Sequence, residues 1–209
     1  MSLLYSKKWY FERNALLKFY NMKKLLLIFF GFLLFAGPER FVKIPEKASS
    51  IEKAFGEVFI TYPSLHNGEI KIYLVFHNGS GNLMMAWPTL RPDTYLVFVS
   101  AHVKYRDILS ELTEEEIRGW FAHELGHITD YNKLGQWGKA WFIIKYLCSS
   151  DFVRESERFA DEQAIAHGYG RPLINGEKKK LKLGFMPGTE YLQIEELEEL
   201  VKKFEEINK

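Results

Sequence analysis

With 209 residues, 47% of them hydrophobic and 16% aromatic, the chain can bury one good core and is too short for several. A formal net charge of +1 and the lack of a basic stripe argue against nucleic acid as a partner. The single cysteine, Cys148, excludes an intrachain disulfide; its setting, Trp141-Phe142-Ile143-Ile144-Lys145-Tyr146-Leu147-Cys148, makes it a small buried hydrophobe rather than a nucleophile.

Residues 1–21 are aromatic and basic without a clear period. Lys23 and Lys24 then precede the apolar run 25–36, so that 22–37 has the shape of a signal peptide's charged and hydrophobic regions. The run is shorter than the roughly 20 apolar residues of a simple spanning helix. Leu34 stands where cleavage before Gly37 would want a small residue, so an uncleaved anchor is nearly as good a reading as a signal peptide. Either way, a membrane-associated or exported protein is expected, with a buried core helix as the weaker reading; Met22 is an alternative start. Pro38, Pro45 and Ser49-Ser50 make 38–50 a linker after the 1–37 extension, and 51–209 one domain. Within it, Ile51 to Phe55 opens a short helix, Val58 to Tyr62 reads as a strand and Ile70 to Phe76 as a stronger one. A turn-rich loop follows at 77–82.

Thr113 and Glu116 form a capping box, and Ile117, Trp120, Phe121, Leu125 and Ile128 recur at helical spacing. An amphipathic helix over roughly 113–134 therefore carries His123-Glu124-Leu125-Gly126-His127. Positions four apart share a helix face, so the imidazoles of His123 and His127 can grip one Zn²⁺ ion. Glu124, one step round the helix, is placed to take a proton from a water that the metal acidifies. A catalytic zinc needs a third protein ligand. Position 133 is Lys and position 130 Asp, which excludes a metzincin pattern. The best candidate lies downstream, in Arg154 to Ala164, where Glu157 and Asp161 are four apart beside the small face of Ala160 and Ala164. Glu157 would be the ligand, and Asp161 would accept the free ring N–H of a ligating histidine. Glu155 and Glu162 are rivals by residue type.

HExxH followed by Glu157-Arg158-Phe159-Ala160-Asp161 resembles the gluzincin peptidases of the HtpX heat-shock protease and type I CAAX prenyl protease group, with their compact minigluzincin members. The resemblance implies Glu157 as third zinc ligand and Asp161 as support. Asn82-Leu83-Met84-Met85-Ala86 is similar to that family's substrate-binding edge strand, and Tyr95 to Ser100 to the strand after it. The short stretch between His127 and Glu157 favours the compact version. The implied fold is α+β: a small, mostly antiparallel sheet packed on the active-site helix and a second metal-bearing helix, preceded by an N-terminal hydrophobic helix.

Farther along, helix 137–148 is apolar on almost every side and is expected to be buried or to touch lipid. The basic run Glu177 to Lys182 reads as a solvated loop. Ile194, Leu197, Val201, Phe204 and Ile207 predict an amphipathic helix over 192–207. The expected function is that of a zinc-dependent endopeptidase, with one Zn²⁺ ion and a protein or peptide substrate paired to the edge near 83–87. Glu124 serves as general base; His167, Tyr169 and Arg171 are possible oxyanion donors, with a surface position at the helix end, ahead of Gly168 and Gly170, the better reading of each. The alternatives are an ImmA/IrrE-type regulatory metalloprotease and a non-catalytic zinc-stabilised scaffold at a membrane. The hydrophobic run argues against the first and the intact Glu124 against the second.

Overall fold

Ile51, Ala54 and Val58 recur at three- and four-residue intervals, and this spacing outweighs the β-prone residues around Val58. Helix α1 spans Ala48–Ile60 and buries those three side chains. The strand expected at 58–62 is therefore a helix end and turn, and the last residues of the expected linker 38–50 are helical. The computed structural model describes residues 48–66, 69–77, 82–89, 91–185 and 191–207, within the unit Val42–Lys209. The expected signal or anchor segment 22–37 lies outside them. Among the described residues, no helix is long and apolar enough to cross a membrane.

A 3-10 turn at Pro63–Leu65 leads to β1 (Lys71–His77), β2 (Met84–Pro88) and β3 (Thr94–Ser100). Strand order is β1-β3-β2. β2 and β3 form an antiparallel hairpin with Ala86 opposite Val97, and β3 runs parallel to β1 with Tyr73 opposite Leu96. The sheet is mixed, which corrects the mostly antiparallel expectation: the second hairpin strand returns between β2 and β1 and runs in the same direction as β1. Among the described residues β2 is left at an edge. The N–H of Ser100 donates to the Leu83 carbonyl and that of Thr89 to the Thr94 carbonyl. The odd-numbered residues of β2 thus carry the ladder, and the backbones of Met84, Ala86 and Pro88 turn outward. Their side chains, with Tyr95, Val97 and Val99, enter the core.

The remaining helices are α2 (Val103–Glu111), α3 (Glu114–Tyr131), α4 (Gln136–Cys148), α5 (Ser150–Ala166), α6 (Gly170–Lys182) and α7 (Ile194–Ile207). α3 is the axis, packed by α1, α5, α6 and β2. Its start is the anticipated capping box: Thr113 Oγ1 accepts from the Glu116 N–H and Glu116 Oε2 from the Thr113 N–H. Thr113 is exposed, so Thr113→Ala removes a cap and little packing. It should cost about 1 kcal/mol in urea unfolding, with Thr113→Ser recovering most of it.

Two glycines on α3, seven residues and two turns apart, let neighbouring backbones approach. A Cβ at Gly119 would lie 2.6 Å from the Pro172 carbonyl carbon in α6; one at Gly126 would lie 2.8 Å from the Ala160 carbonyl oxygen in α5. α6 buries Leu173 and Ile174, and Lys179 Nζ bonds Glu116 Oε2 and the Glu111 carbonyl, each at 2.7 Å. The stretch 177–182, expected to be a loop, is thus the end of α6. α7 buries Leu197 and Val201, close to the expected amphipathic boundaries.

α4 departs from expectation. Phe142 and Lys139 are buried, whereas Trp137 is 90% exposed and Trp141 58% exposed. Cys148 is exposed too, not the buried hydrophobe expected. One side of the helix packs on α5, and its apolar residues are more than that side can cover. The described fold is α+β, mostly helical, with a small mixed sheet.

Candidate metal centre

α3 and α5 supply the centre because Gly126 lets them cross closely. His123 and His127 lie one turn apart on α3, and Glu157 faces them from α5. Their donor atoms form a triangle: His123 Nε2 to His127 Nε2 is 3.1 Å, His123 Nε2 to Glu157 Oε2 is 3.2 Å, and His127 Nε2 to Glu157 Oε2 is 3.6 Å. Tetrahedral ligands about 2.1 Å from an ion stand about 3.4 Å from one another. The three residues can therefore hold a metal ion.

Each donor is oriented from behind. His123 Nδ1 lies 2.7 Å from Asp161 Oδ1, so that a neutral ring donates its Nδ1–H to the carboxylate and keeps the Nε2 lone pair for the triangle. Asp161 is one turn beyond Glu157 on α5, which lets a single helix serve both nitrogens of the same ring. Ser156 Oγ lies 3.4 Å from His127 Nδ1, and the Tyr131 ring stacks on His127 with centroids 6.0 Å apart. Tyr146, from α4, donates its phenol to Glu157 Oε1 at 2.6 Å.

Electrostatics follow the geometry. Burial alone would raise the Glu157 carboxyl, but the neighbouring imidazoles of His127 and His123 outweigh it and hold the group far below the usual carboxylate range. Burial, and then the Glu157 charge, push the Tyr146 phenol up, so it stays protonated and is the donor. Glu124 is raised above the ordinary glutamate range, chiefly by burial and against the pull of His123 and His127. Its Oε2 accepts from the outward-facing N–H of Ala86, tying α3 to the sheet edge.

His123, Glu124, His127 and Glu157 thus line one cleft with Met85, Ala86, Trp87, Tyr131, Tyr146 and Tyr191. The rival carboxylates point away: Glu155 is exposed, and Glu162 pairs with Arg158 on the outside of α5. The three possible oxyanion donors are elsewhere, in keeping with their reading as residues of the helix end. His167 stacks on Tyr62 with centroids 3.8 Å apart, Tyr169 precedes α6, and Arg171 binds Glu205 through two nitrogens. The turn after α5 carries them toward α6 and α7, not toward the cleft. Tyr146 was missed because it sits in an apolar run; a phenol one turn after Phe142 was its only signal. No protein-family model matches the chain, and no curated protein or solved structure matches it either.

Proposed function

We propose that the protein is a zinc-dependent endopeptidase of the gluzincin type. The observation that carries this reading is the convergence of two imidazoles and one carboxylate at tetrahedral spacing, with a buried glutamate between them and an open strand edge. Two nitrogens and one oxygen suit zinc, and three protein ligands are the number found in catalytic sites. When bound, the ion supplies a Lewis acid and a water acidified to a pKa of about 7.

The protein's own groups do the rest. A peptide laid antiparallel along β2 meets the outward backbone of Met84 and Ala86. Its carbonyl takes over the Ala86 N–H that Glu124 holds in the resting protein, which leaves the Glu124 carboxylate free to face the cleft. The raised affinity of Glu124 for protons then suits it to collect one from the attacking water and pass it to the leaving amine. Met85, Trp87, Tyr146 and Tyr191 offer apolar and aromatic walls for side chains near the scissile bond. The apolar run 25–36 supports a membrane-associated or exported setting for this activity.

The test is zinc content and peptide cleavage of the full chain beside Glu124→Gln. The variant should keep one zinc and lose cleavage by about 10²–10⁴-fold. Full activity in Glu124→Gln, or no zinc in wild type, would sink the reading.

A further inference from the structure

Glu157 has two carboxylate oxygens, and they have different partners. Oε2 belongs to the donor triangle, and Oε1 receives the Tyr146 phenol at 2.6 Å. The phenol is held in place: its ring stacks on Phe142 with centroids 5.8 Å apart and meets Trp87 edge-on at 6.4 Å. α4 lies between the two ligand-bearing helices in sequence and contributes none of the three donors, yet it places this one hydroxyl on the carboxylate. A carboxylate can bind a metal through one oxygen or both. Binding through both would raise the coordination number to five with water present and crowd the position that a catalytic zinc keeps for water and substrate.

We propose that Tyr146 is a positioning residue that confines Glu157 to one-oxygen ligation and so keeps a fourth position on the metal open. The proposal rests on the peptidase reading above. Its chemistry needs no proton transfer: the phenol donates to Oε1 throughout, and its loss frees that oxygen to turn to the metal.

The experiment compares Co²⁺-loaded wild type and Tyr146→Phe, because visible Co²⁺ absorption weakens as coordination number rises. Tyr146→Phe should still bind one Co²⁺, absorb more weakly than wild type, and show kcat lowered about 10–100-fold with KM little changed. Superimposable spectra overturn the proposal. So does loss of Co²⁺ binding in the variant, since restricting one oxygen leaves all three ligands in place. A raised KM with unchanged kcat overturns it as well. X-ray absorption of zinc-loaded wild type gives an answer independent of the variant's folding: four nitrogen and oxygen neighbours support the proposal and five overturn it. Spectra as expected beside a wild type that cleaves no peptide would defeat the peptidase reading and leave the one-oxygen ligation standing. A wild type that binds no Co²⁺ defeats both.

Discussion

Glu157→Ala is expected to abolish stoichiometric zinc binding, whereas Asp161→Ala should weaken it by about 10–100-fold. The difference follows from what each carboxylate touches. Glu157 Oε2 is one corner of the triangle, within 3.2 Å of His123 Nε2 and 3.6 Å of His127 Nε2. Its removal leaves two imidazoles, one ligand short of a catalytic zinc site. Asp161 acts only through the far nitrogen of His123, so its loss frees a tautomer and a ring rotation while all three donors remain. Metal content after dialysis against a weak chelator separates the two. Melting of the metal-free forms within a few degrees of wild type would show that both variants fold. One zinc retained by Glu157→Ala would refute the third-ligand assignment.

The second large effect concerns the fold and is independent of any metal. Gly119→Ala should destabilise the protein by about 3 kcal/mol or more, because its Cβ would press on the backbone of Pro172 and Leu173, which cannot step aside as a side chain can. Gly126→Ala meets the Ala160 carbonyl oxygen at 2.8 Å and Cα at 3.0 Å, and should cost about 1–3 kcal/mol. It should also weaken metal binding, since α5 must shift outward and carries Glu157 with it. Gly56, in the middle of α1, is the control: a Cβ there meets nothing, and Gly56→Ala should stabilise by up to about 1 kcal/mol. Chemical denaturation of the three variants gives the order. A Gly119→Ala protein as stable as wild type would mean that α3 and α6 do not pack as closely as described.

What was legible in the sequence was local. The capping box sets the start of α3, and i, i+4 spacing puts His123 with His127 and Glu157 with Asp161 on single helix faces. The pairing of β3 with β1 was not legible, because alternation tells which face a strand buries and nothing about its neighbour's direction. At Val58 two periods competed, and the helical one prevailed because Ile51 and Ala54 had a partner surface on α3. His167, Tyr169 and Arg171 follow Glu157 closely along the chain but not in space, because a tight turn at Gly168, with φ at +86°, redirects the backbone. Tyr146 reaches Glu157 only through the packing of α4 on α5, a tertiary fact with no local signature.

The edge position of β2 has a consequence for self-association. A strand that can accept a substrate can also accept its own copy, and such edges seed sheet-to-sheet polymerisation. Here the outward row is brief and largely blunted. Pro88 has no N–H to give, and the Ala86 N–H is engaged by a buried carboxylate. Within the strand that leaves Met84 as the other outward donor, too little to template a second sheet.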